Sequence, residues 1–282
     1  MKLDLQLHIP YRDIPAAAET AIHRGIDVIS LTDYGSTQKF EDLARNKNTS
    51  GHTILNPRNW EISNVSPLLI KLESERGRVY VIKGQETHTK EGDLLVYGIS
   101  ESIPGGLCLD ETLKRAFIQR GIAVFAHPFA NMFGGCGKEI VAKACAYYKS
   151  KGNPIAVEKN AQLPESAIIP SRILPRWNED VKFFADNHSP RIACLASSDC
   201  HPYRKHYEHI GKWYNFSIDG LNEGNIIEGL TEVAINRPGL IKIHGTSCSL
   251  LEPILWNLAS IKQNGWPKFK GILKGFSEGL KK

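Results

Sequence analysis

Residues 3–33, LDLQLHIPYRDIPAAAETAIHRGIDVISLTD, decide the fold, because they place two strands on either side of a helix. Apolar residues at positions 3, 5 and 7 alternate with polar ones, and this period of two predicts a strand. An alanine-rich helix is predicted over about Pro15–Arg24 and ends at Gly25, and residues 26–31 predict a second strand. A strand–helix–strand unit of this kind is typical of a parallel sheet.

The same alternation continues along the chain. Further strands are predicted at Arg78–Lys83, Leu94–Tyr97, Ile122–Phe125, Ile155–Val157, Ile192–Ala196 and Tyr214–Ile218. Further helices are predicted at Leu109–Arg120, Lys138–Lys149, Trp177–Asn187, Asn225–Asn236 and Ser249–Gln263. About seven such units close most economically into a TIM-like α/β barrel, a (β/α)7 arrangement. We therefore predict one barrel domain over residues 1–240 and a helical C-terminal extension over residues 241–282 that packs on it.

One polar segment interrupts this alternation. Asn46–Ser66 is long for a connection between barrel elements, and it follows the strand that ends near Asp33. Long connections are often functional, so we predict a mobile lid over the active-site end of the barrel. Ser66-Pro67 is a good start for a helix, which predicts a helix running to Arg76.

Composition and charge set limits on the class of protein. The net charge of +5 and the ten histidines suit a phosphate-bearing substrate, while nucleic-acid binding would need a denser basic patch. There is no apolar run near the roughly 20 residues that span a bilayer, and no signal peptide is predicted. The six cysteines are scattered without a Cys-x-x-Cys pair, which indicates reduced thiols. We expect a cytoplasmic protein with no membrane partner.

Residues that can bind a metal follow the predicted strands. These residues are His8, Thr32-Asp33, Gly84-Gln85-Glu86, Ala126-His127-Pro128 and Ser197-Ser198-Asp199-Cys200-His201. Any one of them has an ordinary explanation, such as a helix cap for an aspartate or a buried core position for a histidine. Together they should meet on one face of a parallel barrel, at the carboxyl ends of the strands. Oxygen and nitrogen donors suit Mn, Fe or Zn, in contrast to a thiolate-bound structural zinc.

These strand ends resemble the motifs of the polymerase-and-histidinol-phosphatase (PHP) superfamily of phosphoesterases. The resemblance runs from Lys2 to about Ile218. It rests on Asp4-x-Gln6-x-His8, Thr32-Asp33-Tyr34, Gly84-x-Glu86, Glu91-Gly92-Asp93-Leu94-Leu95, Ala126-His127-Pro128 and Ser198-Asp199-Cys200-His201. It implies a distorted seven-stranded barrel that carries two or three divalent metals and hydrolyses phosphate esters.

The resemblance also implies roles for individual residues. The implied metal ligands are His8, Asp13, Glu86, His127, Asp199 and His201. The predicted catalytic residues are Asp33, Asp93 and His127. Arg12, Lys159 and Arg204 lie in or near loops at the same end of the barrel and are predicted to bind substrate phosphate, although each taken singly has the ordinary interpretation of a surface cation.

Three histidines of the family pattern are missing. Gln6, Tyr34 and Asp93 stand in their places, and Glu158 is displaced by one position from the family's Glu-Val-x-Asn segment. Asp93 can still bind a metal through oxygen, whereas a neutral glutamine is a poor ligand. We therefore predict one or two bound divalent ions (Mn, Zn or Fe) rather than three.

The predicted function is hydrolysis of a phosphate monoester or diester by water that a divalent metal activates. The expected substrate is a phosphorylated small molecule or a nucleotide, with nucleic acid less favoured. Two alternatives remain open. One is a metal hydrolase that acts on amide or lactone bonds, and the other is a PHP-like domain that has lost catalysis and serves as a binding module.

Overall fold

A computed structural model describes residues 1–163, 176–201 and 206–247. Its strands are β1 (Lys2–Leu7), β2 (Val28–Leu31), β3 (Glu61–Ser66), β4 (Leu69–Ser74), β5 (Gly77–His88), β6 (Asp93–Tyr97), β7 (Ile122–Phe125), β8 (Ile155–Asn160), β9 (Ala193–Ser197), β10 (Asn215–Ile218) and β11 (Ile241–His244). Its α-helices are α1 (Ile14–His23), α2 (Gln38–Ala44), α3 (Leu109–Ile118), α4 (Lys138–Lys149), α5 (Trp177–Asn187) and α6 (Ile226–Ile235). Short 3₁₀ turns lie at Tyr11–Asp13, Asn131–Phe133, His206–His209 and Pro238–Leu240.

The strands form a nearly closed barrel in the order β11-β10-β1-β2-β5-β6-β7-β8-β9. The barrel closes at a seam between β1 and β9, where Leu7 and Cys200 form a bridge and the His8 amide donates to the Cys200 carbonyl at 2.6 Å. The predicted α/β fold, a distorted TIM-like barrel, is confirmed. The pairing is mixed, because β6 is antiparallel to β5 and β7, and β10 is antiparallel to β1.

Most barrel strands are buried on both faces. On β5, Tyr80 and Ile82 belong to the cluster inside the barrel, whereas Val79 and Val81 pack outside against α1 and α2. A second outer cluster packs α3, α4 and α5 on the strands β6 to β9. Burial on both faces explains why these strands are nearly continuous apolar runs.

Strand β1 changes face at an irregularity in its pairing with β2. Register shifts between Asp4 and Leu7. Leu3 and Leu5 belong to the inner cluster, whereas Leu7, after the shift, belongs to the outer one. A bulge of this kind re-aims side chains. Gln6 and His8 therefore reach the open end of the barrel that holds the carboxyl ends of β1, β2 and β5, which we call the mouth.

The helix predicted from Ser66 to Arg76 is wrong. The chain instead forms a hairpin of β3 and β4, and β4 pairs with the first half of β5. Leu69 faces the inner cluster while Ile70 and Leu72 are buried in the outer one, so this segment supplies apolar contacts on both sides of a sheet. Burial between two layers overrides the local signal for a helix start.

The predicted lid does not lie over the mouth. Residues 46–60 run along the outside of the barrel, where Leu55 and Trp60 are buried in the same cluster as α1 and α2. Two hydrogen bonds hold the conformation of this segment. The Asn46 side chain donates to the Leu55 carbonyl and accepts from the Leu55 amide. The apolar anchors in an otherwise polar stretch explain why this segment packs on the flank.

The last described strand adds to the barrel sheet. Residues 241–244, predicted as the start of a helical extension, form β11 and pair antiparallel with β10. Residues 248–282, which include the predicted helix Ser249–Gln263, lie outside the described residues. Among the helices that the structure describes, none is both long and apolar enough to cross a membrane.

Candidate metal centre

Two groups of possible metal ligands meet at the mouth. The first metal group consists of His8, Asp199 and His201, and the second metal group consists of Glu86, Asp93 and His127. Within each group, ligand atoms of the three residues all lie within 4.8 Å of one another. The chain thus brings donors from the ends of five strands to one place.

The second metal group is built on three neighbouring strands. Glu86 lies near the carboxyl end of β5, and Asp93 is the first residue of β6. Because β6 is antiparallel to β5, its amino end lies at the mouth. His127 follows β7, and its Nε2 lies 3.7 Å from Glu86 Oε1 and 3.9 Å from Asp93 Oδ2.

Gly134 holds the backbone of the β7–α4 loop directly against Asp93. The Asp93 amide donates to the Gly134 carbonyl at 2.7 Å. A Cβ atom on Gly134 would lie 2.1 Å from Asp93 Oδ2, and the φ angle of +95° is one that glycine adopts without strain. Only glycine therefore allows this approach, which makes the loop a wall of the second metal group.

The first metal group lies at the seam of the barrel. Asp199 Oδ1 lies 3.6 Å from His8 Nε2 and 3.2 Å from His201 Nε2. The two imidazole rings stack with their centroids 4.6 Å apart. Asp199 has a left-handed φ of +49°, which carries the chain back toward β1 at this point.

Glu86 joins the two groups. Its Oε2 lies 2.8 Å from His8 Nε2, while its Oε1 faces His127. One carboxylate therefore contacts a histidine of each group. This is the arrangement by which a carboxylate could bridge two cations.

A layer of buried polar side chains supports both groups from inside the barrel. Gln6 Nε2 donates to Glu86 Oε2 at 2.9 Å. Asn160 Nδ2 donates to Asp199 Oδ2 at 3.0 Å and to Glu158 Oε2 at 3.1 Å. The His127 amide also donates to Glu158 Oε2, at 3.0 Å. The supporting residues thus hold the carboxylates and the backbone of the candidate ligands in place.

Burial and neighbouring charge shift the titration of these residues. Burial opposes the ionisation of Glu86, but the adjacent imidazoles of His127 and His8 hold its pKa well below the ordinary value. Burial opposes protonation of His127, yet Glu86 raises its pKa to about 9. Burial raises the pKa of Glu158 to about 7. The contact between Glu86 and His127 thus lowers the pKa of the carboxyl and raises that of the imidazole.

The donors fit a divalent metal. His8 Nδ1, His127 Nδ1 and Asp199 Oδ1 are buried without a hydrogen-bond partner. His8 Nε2 lies 2.8 Å from Glu86 Oε2, an ion-pair distance. Buried polar atoms without partners are costly. A cation in the first metal group would satisfy His8 Nε2 and Asp199 Oδ1, and mixed imidazole and carboxylate donors suit several divalent ions.

Two predicted acids lie outside both groups. Asp33 Oδ1 accepts from Lys39 Nζ at 2.5 Å, and Lys39 also donates to the Ile9 carbonyl. Asp13 lies on the 3₁₀ turn after β1, where its carboxylate is 3.8 Å from Arg12 Nε. The sequence motif could not reveal that Lys39, six residues further along the chain, would contact the Asp33 carboxylate.

The predicted phosphate-binding cations have different surroundings. The Arg12 side chain is largely exposed beside the mouth. Lys159 Nζ lies 4.3 Å from the centroid of the Tyr214 ring, a cation–π contact. Arg204 lies outside the described residues.

Sequence reasoning missed His88 at this site. Its Nδ1 lies 2.5 Å from Asp93 Oδ1, and its ring stacks on Tyr34. The signal was present in the spacing, because residues two apart on a strand face the same side. His88 follows Glu86 at that interval on β5.

Comparison with known proteins supports the fold. The chain matches no protein-family model. It is 26% identical over 155 residues to the uncharacterized protein MJ1587 of Methanocaldococcus jannaschii, covering 50% of this chain and 75% of that protein. The crystal structure of PsfC from Pseudomonas syringae PB-5123 is similar with a TM-score of 0.59 at 12% identity, covering 91% of this chain and 96% of PsfC. PsfC therefore shares the architecture of nearly the whole chain.

A second solved structure is more distant. It is the lesion-specific endonuclease PfuEndoQ from Pyrococcus furiosus, with a TM-score of 0.49 and 16% identity. The match covers 86% of this chain but only 57% of PfuEndoQ. What the fold and the donor groups define together is a distorted TIM-like barrel with residue clusters that can bind divalent metal at its mouth.

Proposed function

We propose that this protein is a metal-dependent hydrolase of phosphate esters. The observation that carries the proposal is that two groups of three metal-binding residues lie together at the mouth. Glu86 of the second metal group contacts both His127 of its own group and His8 of the first. The barrel position supports it, because the carboxyl ends of barrel strands are where active sites are built. The resemblance of the strand-end motifs to the PHP superfamily favours phosphate esters over other bonds.

Each group would hold one divalent ion. Bound ions would lower the pKa of water and neutralise charge on the phosphoryl oxygens. The protein supplies the geometry: Glu86 lies between the groups, and Gln6 and Asn160 keep the carboxylates of Glu86 and Asp199 in position. Two bound ions rather than three are consistent with Gln6 and Tyr34, because these residues stand where the resembling family has histidine ligands.

Asp93 is the better placed of the two predicted catalytic carboxylates. One of its oxygens faces His127 and the other accepts from His88. Asp33 belongs to neither donor group, one of its oxygens accepts from Lys39, and its charge acts on His8 from outside. We assign Asp93 the orientation of the attacking water and Asp33 a supporting role.

Binding of the substrate phosphate would fall to cations at the mouth. Arg12 and Lys159 are the described candidates, and Arg204 is a third from the sequence. We propose a phosphorylated small molecule or a nucleotide as substrate. Guanidinium groups bind phosphate with two parallel hydrogen bonds, which favours the arginines as the specific contacts.

One observation favours a second candidate, a binding module without catalysis. The Gln6 amide group donates to Glu86, and its carbonyl accepts from Ser197 Oγ at 3.2 Å and from Asn160 Nδ2 at 3.3 Å. A glutamine fixed in this way offers no lone pair to a metal. This residue therefore weakens the donor set at a position where the resembling family has a ligand.

Metal content and phosphate release separate the candidates. Protein purified without chelator should carry one or two divalent ions by elemental analysis, and it should release p-nitrophenol from p-nitrophenyl phosphate or its bis ester faster when Mn is added. Asp199→Asn should lose both properties, while Glu73→Asn, an exposed change on β4, should keep both. Turnover confined to lactone or amide substrates would reassign the reaction. Absence of bound metal in excess Mn would favour the binding module.

A further inference from the structure

Four aromatic rings form a continuous row across the mouth. His201 stacks on His8 at 4.6 Å between centroids, His8 on Tyr34 at 4.7 Å, and Tyr34 on His88 at 4.5 Å. The planes of neighbouring rings differ by 19°, 18° and 18°. Such small angles over three successive contacts define one stack.

The row connects the two metal groups. It begins with His201 and His8, which belong to the first metal group. It ends at His88, whose Nδ1 lies 2.5 Å from the carboxylate of Asp93 in the second metal group. Tyr34 contacts the ring on each side, so it is the residue through which the two halves of the row are joined.

The backbone fixes Tyr34 in this position. Tyr34 and Glu86 form a parallel bridge, and the Gly35 amide donates to the Glu86 carbonyl at 2.6 Å. Its side chain is nevertheless 50% exposed. Packing in the core therefore does not explain why this exposed tyrosine is held at both its backbone and its ring faces.

Partners that orient metal ligands strongly affect the affinity for the ion. An imidazole must aim one nitrogen lone pair at the ion, so its ring plane has to be fixed, and residues that fix it commonly change affinity 10–100-fold. Aromatic stacking fixes a ring plane without competing for its nitrogens. His8 Nδ1 has no hydrogen-bond partner, and the ion pair of Nε2 with Glu86 Oε2 at 2.8 Å holds the ring at one point, so stacking on both faces is the contact that fixes the ring plane.

We propose that Tyr34 is a positioning residue that orients ligands of both metal groups, His8 directly and Asp93 through His88. The proposal rests on the proposed metal-dependent function. It assigns the effect to the ring of Tyr34 and not to its hydroxyl. Where the resembling family has a metal-binding histidine, this chain thus has a tyrosine that orients the metal ligands.

The test is a titration of metal-free protein with Mn by isothermal calorimetry. Tyr34→Ala should weaken Mn binding about 10–100-fold, whereas Tyr34→Phe should bind as the wild type does. The matched control is Tyr147→Ala on α4, which removes a tyrosine that is also 50% exposed but lies outside the ring row. Histidine ring-proton NMR of the metal-free variants provides a second readout, because loss of the Tyr34 ring shifts the His8 and His88 signals.

The outcomes separate this proposal from the function on which it rests. Wild-type affinity in Tyr34→Ala overturns the positioning role and leaves the metal-dependent function standing. An equal loss in Tyr34→Phe and Tyr34→Ala also overturns it, because the hydroxyl would then be the effective group. A wild-type protein that binds no Mn overturns both proposals. Loss in Tyr34→Ala alone, with shifted His8 and His88 signals, supports the role of the ring.

Discussion

The two metal groups differ in what holds them together. The second metal group comes from β5, β6 and β7, which are adjacent strands with regular pairing. The first metal group joins the end of β1 to the chain after β9, across the seam. All three residues of the second group are buried, whereas His201 of the first group is partly exposed.

Similar sets of metal-binding residues can therefore be held in place by different parts of a fold, by adjacent paired strands in one group and by closure of the barrel in the other. Strand pairing fixes the second metal group before any ion binds. The first metal group exists only while the barrel is closed, and it relies on the ring row for the orientation of His8. We therefore expect the second group to bind its ion more tightly and to tolerate fewer substitutions.

The largest expected effect comes from removing the residue that both groups share. Glu86→Gln keeps the size of the side chain but removes the charge that faces His8 and His127. We expect loss of both ions, with affinity for Mn reduced by more than about 100-fold in calorimetry. Glu73→Gln, an exposed change on β4, is the control. Retention of one tightly bound ion by Glu86→Gln would show that the groups are independent.

A smaller and unequal effect is expected when one histidine is removed from each group. His127→Ala should abolish phosphate release and leave at most one ion, because two carboxylates remain without an imidazole. His201→Ala leaves His8 and Asp199 in place, so we expect Mn affinity to fall only about 10–100-fold. Elemental analysis and steady-state kinetics measure both results. Equal losses in the two variants would remove the distinction between a strand-built and a seam-built group.

Added donors should narrow the difference between the groups. Gln6→His together with Tyr34→His places two imidazoles beside the first metal group, and the histidine at position 34 retains an aromatic ring. We expect higher metal stoichiometry and a several-fold rise in phosphate release with Mn, consistent with metal-assisted hydrolysis. Each single change is the control for the pair. Unchanged stoichiometry in the double variant would mean that the mouth has no room for a further ion.

The last expected effect concerns stability rather than metal binding or phosphate release, and it lies on the seam side of the barrel. Asp4 is buried and accepts from the amides of Ser198 at 2.9 Å and Gly211 at 3.3 Å. Burial raises its pKa from 3.8 to about 7. Between these values the folded state keeps a proton that the unfolded chain has released. This contribution is therefore complete below the lower pKa and is lost as pH rises to the higher one.

Asp4→Asn should remove this pH dependence. Across pH 4 to 7, the free energy of unfolding of the wild type relative to the variant should fall by up to ~1.4 kcal/mol per pH unit. Urea unfolding at several pH values measures the difference, in which the titration of all other groups cancels. A constant difference across this window would contradict a raised pKa for Asp4.

Hydrophobic periodicity was sufficient to predict the barrel. Strands such as 122–125 and 94–97 and helices such as α4 and α5 have the predicted bounds or nearly so, because their burial patterns are strong. Strand direction was not predictable. An apolar run of four or five residues has the same pattern in either direction, so the antiparallel course of β6 emerged only from its pairing. The β3–β4 hairpin was missed because Ser66-Pro67 also fits a helix start.

The candidate site was predictable where a donor follows a strand. The structure brings His8, Glu86, His127 and Asp199 together as strand-end positions. Contacts between distant side chains were not predictable. No local pattern indicates that Lys39 pairs with Asp33 or that a row of rings crosses the mouth.

The seam has a consequence for folding as well as for metal binding. It joins parts of the chain that are far apart, as the 194-residue separation of Asp4 and Ser198 shows. A cation held by His8 and Asp199 would act as a reversible cross-link across nearly the whole barrel. Because the ion binds where these distant segments are brought together, it would stabilise the folded barrel in proportion to its affinity and concentration. The ion would then add a side-chain connection to the backbone bridge between Leu7 and Cys200, and its removal would weaken the seam between β1 and β9.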